Sequence, residues 1–166
     1  MSNLEVKLNS KVLGDLTREL TKKQHIEIGI FSGYHTPKTQ KYKVRQRVEG
    51  NISNAEVGYE HETGDHLPKR SFLLFPLVFK GNELLMFFRD PVKHFKFIAE
   101  YGLSKWLAKL NKSCLGIIDS AFETGGFGFW KALSPLTVRL KGHAQILLET
   151  GQLRKSIKGF IRGTNG

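Results

Sequence analysis

The chain has 166 residues, of which 40% are hydrophobic, and its formal net charge is +11. This length suits one domain with a proper core, and the hydrophobic fraction argues against a disordered chain. The longest apolar run, Phe72 to Phe79, contains Pro76 and is too short to span a membrane, and the N-terminus lacks the apolar stretch of a signal peptide. The single cysteine, Cys114, excludes a disulfide framework and a multi-cysteine metal site. We therefore expect one domain over residues 1–166, made and used in a reducing cytoplasm.

The 26 Lys and Arg residues outnumber the 15 Asp and Glu residues, which favours contact with nucleic acid or with an acidic protein surface. Part of this excess is concentrated between Thr36 and Arg47, where no acid occurs before Glu49. The positive residues of this basic loop are Lys38, Lys41, Lys43, Arg45 and Arg47. Two interpretations stay open: a solvated loop or hairpin tip, or a finger that contacts phosphates or an acidic partner.

Hydrophobic spacing predicts a helix and a strand at the start of the chain. Residues 9–23 place their leucines on one stripe, and Asn9 or Ser10 caps this helix. Residues 25–31 follow as a half-buried strand, because three isoleucines alternate there with Glu27 and Gly29.

A helix–loop–helix elbow is predicted around Gly64 and Pro68. Glycine takes the left-handed conformation that ends a helix, and proline does not continue one. Glu62 is expected to cap a helix or to pair with Lys69 or Arg70. A hydrophobic anchor follows this basic pair, and all three of its side chains are expected to be buried: Phe72, Leu73 and Leu74.

The strongest helical signal lies in the second half of the chain. Apolar residues recur at three- and four-residue steps over about residues 103–123, which predicts a long amphipathic helix that forms the spine of the core. Before it, residues 84–88 are predicted to be a compact buried run and residues 92–99 a short helix. The aromatic residues in and after the long helix are interpreted as core or interface packing rather than base stacking: Trp106, Phe127, Phe129 and Trp130.

The C-terminal part is predicted to contain short elements. Ser134 opens a short turn or helix, residues 145–149 form a short strand or extended segment, and a tight turn leads into a last strand at 156–161. Residues 162–166 are expected to be mobile. Taken together, the elements predict an α+β fold, in which a small, mostly antiparallel sheet packs against helices and carries the long basic loop.

His61, Glu62 and His66 invite a zinc-protease interpretation that their spacing does not support. Zinc ligands on one helix face stand four residues apart, whereas these histidines are five apart, a rotation of about 140°. Cys114 lies on the apolar stripe of the long helix and is expected to be a core thiol. Phosphate-binding loops, nucleophile elbows and paired carboxylates are not found in the sequence. The sequence therefore predicts a protein that is not an enzyme and has no metal site and no cofactor.

Three sequence blocks, in this order, resemble the virion-morphogenesis family of tailed bacteriophages, which comprises tail-completion and neck proteins. The first block is Ile26–Phe31, and the third contains Leu136–Thr137, Lys141–Gly142 and Leu147–Ile157. Leu74 departs from the family, which usually has a basic residue there. The second block is carried by Ala55, Glu62, Gly64, Pro68, Arg70, Ser71, Phe72 and Leu73.

The resemblance implies a structural subunit with a tail-terminator-like fold, located in the virion at the head–tail junction and assembled in the host cytoplasm. Its partners would be further copies of itself in a ring, expected to be a hexamer, and neighbouring neck, head-completion, tail-terminator or tail-tube proteins. Phage DNA would pass through the lumen, where the basic loop would contact DNA or acidic partner loops; no membrane or small-molecule partner is implied. The motif residues expected to support the fold and the subunit interface are Glu62, Gly64, Pro68, Arg70, Phe72, Leu73, Thr150, Gly151, Leu153, Ser156 and Ile157.

Three other classes of function stay open at the level of sequence. A cytoplasmic nucleic-acid-binding module would use the same basic loop and bind with a steep salt dependence. A phage assembly factor would carry the same motifs without being part of the particle. A hydrolase is the third alternative, but the sequence offers no set of residues with which to test it.

Overall fold

The computed structural model of the protein describes residues 10–31, 52–148 and 151–163. Within these ranges the chain forms eight helices and one two-stranded antiparallel sheet, which confirms the predicted α+β class. The elements in chain order are α1 Ser10–Leu20, β1 Gln24–Ile30, α2 Asn54–Thr63, α3 Leu74–Phe79, α4 Gly81–Phe87, α5 Pro91–Tyr101, α6 Leu103–Thr124, α7 Pro135–Lys141, α8 Gln152–Ser156 and β2 Ile157–Gly163.

The sheet joins the two ends of the described chain. β1 and β2 run antiparallel, with Gln24 opposite Gly163 and Ile30 opposite Ile157. Both strands were predicted, but β2 continues to Gly163, so the segment expected to be mobile begins with two strand residues. The isoleucines of β1 point toward the helices, as period-two alternation requires.

The long helix α6 is the spine of the core, as the sequence predicts. Its buried side chains recur along one stripe that runs from Leu103 to Phe122. Cys114 lies on this stripe, and its burial raises the pKa of the thiol, which confirms the expected core position. Gly125, at φ +64°, ends the helix and donates its N–H to the Ala121 carbonyl.

The core has two parts, and α6 contributes to both. One cluster contains Ile98, Leu103 and Leu107 and is covered by the partly buried side chains of α1 and the sheet. The larger cluster lies at the other end of α6 and is covered by residues from α2, α3 and the sheet. Its buried members are Phe72, Ile118, Ala121, Phe122, Trp130 and Leu153.

Three helices begin with a side-chain cap that local sequence specifies. Ser53 and Glu56 form a reciprocal capping box at the start of α2, in which the Glu56 carboxylate accepts from the Ser53 N–H (2.7 Å). Its hydrogen bonds to the Ser53 backbone and hydroxyl lower the pKa of Glu56. Asp90 caps α5, and Ser134 caps α7, each directly before a proline at the first helical position.

The C-terminal segment differs from its prediction in two places. Residues 146–147 form a turn in which Leu147 has φ +58°, so the described part of 145–149 is not a strand. Residues 152–156 form the short helix α8 instead of a tight turn. A five-residue helix is shorter than the window of about 11–18 residues over which a helical hydrophobic pattern is recognised, so the sequence alone did not reveal it.

The loop after α6 brings its backbone against a buried indole. Gly126 has φ +68°, and a Cβ placed there would lie 2.3 Å from two atoms of the Trp130 ring. Gly128 has φ +84°, but a Cβ there would meet nothing within 4 Å. The two glycines therefore share a left-handed backbone and differ in the space beside them.

We expect Gly126→Ala to lower the free energy of unfolding by about 3 kcal/mol. Left-handed strain contributes about 1–2 kcal/mol, and overpacking against Trp130 adds about 1–3 kcal/mol. The matched variant Gly128→Ala carries only the strain and should lose about 1–2 kcal/mol. Urea denaturation measures both losses, and equal values would contradict the role assigned to the indole.

Candidate functional site

The carboxylate of Glu62 organises the start of α3. It accepts hydrogen bonds from the Ser71 hydroxyl (2.6 Å) and from three consecutive backbone N–H groups, those of Phe72 (2.9 Å), Leu73 (3.1 Å) and Leu74 (3.0 Å). Because α3 has no capping side chain of its own at Leu73, Glu62 supplies the acceptor that these donors require. We call this group of five residues the Glu62 junction. The expectation that Glu62 caps a helix is confirmed.

Arg70 does not pair with Glu62. Its side chain is buried and donates to the Lys131 carbonyl through Nε (3.1 Å) and Nη2 (3.0 Å), which ties the elbow to the loop after α6. Burial lowers the pKa of Arg70. Its backbone N–H donates to the His61 carbonyl (2.7 Å), so Arg70 also holds the elbow against the end of α2. The alternative that Glu62 forms an ion pair with Arg70 or Lys69 is wrong.

Gly64 ends α2 with φ +79°, as predicted, and donates to the Glu60 carbonyl (2.9 Å). A Cβ at this position would lie 2.6 Å from the Cβ of Lys69, so only glycine lets the returning chain pass. Pro68 lies in this returning segment and is exposed. The Glu60 carboxylate also accepts from the backbone N–H of His66 (3.1 Å), which fixes the tip of the elbow.

The residues first weighed as zinc ligands lie apart. His66 has its Nδ1 atom 3.1 Å from Glu60 and 3.5 Å from Asp65, and its side chain is largely exposed. Ligand atoms of these three residues lie within 4.8 Å of one another, and this is the one such group within residues 10–31, 52–148 and 151–163. Its contacts hold the elbow tip, and Glu62 takes no part in it.

Phe72 anchors the Glu62 junction in the core and has no exposed surface. Its ring contacts Phe122 with centroids 5.4 Å apart, and Phe122 in turn packs against Trp130 at 5.6 Å. The Trp130 indole donates to the Ser71 carbonyl (3.1 Å), and this hydrogen bond connects the loop after α6 to the Glu62 junction. Burying a phenylalanine of this kind contributes about 1.5–3 kcal/mol.

The third sequence block meets the second in the same core. Leu153 belongs to the Phe72 cluster, and Ile157 packs against it. Ser156 is buried, donates its hydroxyl to the Leu153 carbonyl (2.7 Å) and accepts at its own carbonyl from Phe31 (2.9 Å). Gly151 precedes α8 with φ +70°. Thr150 and the basic loop residues Lys38, Lys41, Lys43, Arg45 and Arg47 lie outside the described residues.

Beyond the junction, three consecutive helices present large apolar side chains to solvent. On α3, Leu74 is 66% exposed and Val78 69%, and on α4 Leu85 is 66% exposed. α3 contains no charged residue. We call this set the apolar surface; its members are Leu74, Val78, Phe79, Leu85, Met86, Phe88, Val92, Phe95 and Phe129.

Aromatic contacts connect the loop residue Phe129 to α3 within the apolar surface. The Phe129 ring lies 5.3 Å from Phe75 and 5.2 Å from Phe79, and these two rings stack at 5.5 Å. The ring of Phe127 stacks under Phe79 at 5.3 Å. Phe79 and Phe129 are thus part of a packed aromatic group whose outer edge faces solvent.

Two predictions of burial are wrong at this surface. Leu74 is exposed although it belongs to the predicted anchor, because the capped backbone of α3 turns it away from Phe72. The run 84–88 is not a buried unit, since Phe87 packs against Trp106 of α6 (ring centroids 5.6 Å apart) whereas Leu85 and Met86 are exposed. The apolar composition of this run did not show which of its side chains are buried and which are exposed. The helical spacing of residues along α4 was the available signal.

A groove of about 450 Å³ separates α4 from α6. The two serines on its α6 wall donate to carbonyls of their own helix, Ser113 to Lys109 (3.3 Å) and Ser120 to Gly116 (3.0 Å). At its rim, the Lys80 ammonium pairs with Glu83 (2.6 Å). The polar groups of the groove are therefore engaged with one another or with backbone and are not arranged as a nucleophile and base.

An ion-pair cluster that sequence reasoning missed fastens α8 to α6. Arg154 donates to Asp119 (2.5 Å) and to Glu123 (3.0 Å), two acids one turn apart on α6. The hydrogen bond that Arg154 donates to Asp119 lowers the pKa of Asp119 and raises the pKa of Arg154. The four-residue spacing of the acids was visible in the sequence, but their basic partner is distant in the chain.

No protein-family model matches the chain, and no curated protein or solved structure shows significant similarity to it. Among the described residues, no helix combines the length and the apolarity needed to cross a membrane.

We expect Glu62→Ala to lower the free energy of unfolding by about 2–4 kcal/mol, because partly buried N–H groups and a hydroxyl lose a charged acceptor. Glu62→Gln keeps one acceptor oxygen and should fall between wild type and alanine. Glu83→Ala removes an exposed pair and serves as the control, with a change within about 0.5 kcal/mol. Denaturant titration measures all three, and a Glu62→Ala variant as stable as the control would refute the capping role.

We expect Asp119→Asn to be less stable than wild type by under about 1 kcal/mol at neutral pH, since the pair is exposed. Because the pKa of Asp119 is lowered in the folded state, its ionised form stabilises the fold at pH values above the ordinary pKa of 3.8. This stabilisation is lost as the pH falls through the lowered pKa. The difference between the two proteins should therefore vanish toward about pH 2. Urea titrations from pH 7 to pH 2 measure it, and a constant difference would mean that the pair is not its source.

Proposed function

We propose that the chain is a structural subunit of a tailed-phage virion, a tail-completion or neck protein that joins a ring at the head–tail junction. The three ordered sequence blocks support this proposal by resemblance. The observation that carries it is the concentration of exposed apolar side chains on the consecutive helices α3, α4 and α5, because large apolar side chains that the subunit leaves exposed together are commonly covered by a partner.

The composition of the apolar surface suits a protein–protein interface. It contains four phenylalanines and a methionine, the residue types enriched in interface cores, and no charged residue falls within α3. A closed ring is built from head-to-tail contacts between identical subunits. Each subunit would therefore cover its apolar surface with a different surface of the next copy.

The motif residues support this role indirectly. Glu62, Phe72 and Leu153 lie in or beside the core and position α3, so their contribution is to hold the interface helix in place. The basic loop, from Lys38 to Arg47, supplies the charge that would contact DNA in the lumen or acidic loops of a neighbouring ring. In this proposal the chain binds macromolecules and carries out no reaction.

Quantitative mass spectrometry on purified, DNA-filled particles of the phage that encodes the chain tests the proposal. Scaled to the portal protein, a closed ring predicts a fixed copy number of about six to twelve. Absence of the chain from the particle would overturn the proposal and favour an assembly factor or a nucleic-acid-binding module.

We expect Val78→Glu to block self-association and to lower the yield of infectious particles at least about tenfold, because a charge in the centre of an apolar interface is left without a partner. Stability should change by only about 0.5 kcal/mol, since Val78 is exposed in the subunit. Leu13→Glu on α1, also a change of an exposed aliphatic residue to a charge, is the control and should keep wild-type yield. Light scattering and plaque counts measure the effects, and normal yield for Val78→Glu would exclude this surface as the interface.

A further inference from the structure

We infer that a lysine face formed by α5 and α6 binds the phosphate backbone of duplex DNA without regard to sequence. The face contains no residue of the basic loop, and the inference does not depend on the proposed ring. Its members are Lys93 and Lys96 on α5 and Lys105, Lys109 and Lys112 on α6, all of them exposed.

The helical period places the three α6 lysines together. At about 100° per residue, Lys105, Lys109 and Lys112 fall within an arc of about 60°, opposite the buried stripe of Leu107 and Cys114. The first acidic residue of α6 is Asp119, well beyond them. The charged residues in the first half of α6 are therefore all basic.

Cation–π contacts join α5 to this face. The Lys109 ammonium lies 3.7 Å from the centre of the Phe97 ring, and the Lys105 ammonium lies 5.7 Å from that of Tyr101. These two rings pack together at 4.7 Å. The aromatic pair thus supports the lysine stems and holds their charged ends at the surface. Lys93 stands one turn before Phe97 and so lies on the same side of α5.

The positive charge of the five lysines exceeds the negative charge on the two helices beside them. Across the part of the chain that the structure describes, none of these five lysines forms an ion pair. The nearby acid on α5, Glu100, accepts a hydrogen bond from the Tyr101 hydroxyl, which raises the pKa of Tyr101. By contrast, the basic Arg154 at the other end of α6 is paired twice.

The chemistry of the face favours phosphate over base recognition. Lysine ammonium groups act as hydrated point charges that release counterions from DNA, and they carry no sequence information. The face contains no Arg, Asn or Gln side chain of the kind that reads base edges. A polyanion with closely spaced charges is therefore the partner that fits it.

The test compares the full chain with two triple variants of equal net charge. In the face variant Lys105, Lys109 and Lys112 become Gln, and in the control Lys69, Lys131 and Lys155 become Gln. All six are exposed, and none forms an ion pair with another described residue. Binding to a duplex of about 30 base pairs is measured by fluorescence anisotropy over a series of salt concentrations. Each phosphate contact contributes about 0.9 to the slope of log Kobs against log salt.

We expect the face variant to reduce the magnitude of this negative slope by about 2–3, and we expect the control to leave the slope unchanged within about 0.5. Equal effects of the two variants would mean that binding follows net charge alone and would overturn the inference, as would undetectable wild-type binding at low salt. Circular dichroism verifies that both variants are folded. The outcome is independent of the particle analysis, so failure of the DNA surface and failure of the ring are distinguishable.

Discussion

The hydrogen bonds accepted by Glu62 are the constraint on which the rest of the structure depends. α3 has six residues, and apart from the Ser71 hydroxyl, which accepts from the Phe75 N–H (3.0 Å), the backbone donors at its start depend on an acceptor from elsewhere. Glu62 provides that acceptor from the end of α2, and Phe72 fills the core directly beneath. The same arrangement turns Leu74 and Val78 outward. One carboxylate therefore links the interior of the subunit to the surface that we propose as its interface.

Two surfaces of different chemistry meet on α5. Val92 and Phe95 are exposed members of the apolar surface, whereas Lys93 and Phe97 lie on the lysine face. Lys96 of the lysine face stands one turn after Val92 of the apolar surface, so the two surfaces adjoin along α5. The proposed subunit contact and the proposed DNA contact therefore use neighbouring but different residues of one helix.

Much of the fold was predictable from local signals, whereas the partners of the motif residues were not. The helix stop at Gly64, the anchor Phe72 and the stripe of α6 follow from backbone sterics and hydrophobic period. The contact of Arg70 with the Lys131 carbonyl spans 61 positions, and no periodic pattern encodes such a distance. Exposure of Leu85 was mispredicted for a different reason. Hydrophobicity indicates that a side chain is to be buried but not whether its own chain or another one buries it.

The pairing of β1 with β2 has a consequence for how the chain is completed during synthesis. The Arg162 side chain on β2 donates through Nε to the Glu27 carboxylate on β1 (3.2 Å), although 135 positions separate the two residues. During synthesis β1 leaves the ribosome early, and it stays without its partner strand until β2, at the other end of the described chain, has also emerged. Contacts between distant positions also slow folding, because the intervening loop must close first. The newly made chain thus exposes an unpaired strand until β2 has been synthesised, and a truncation that removes β2 would leave β1 without its partner strand.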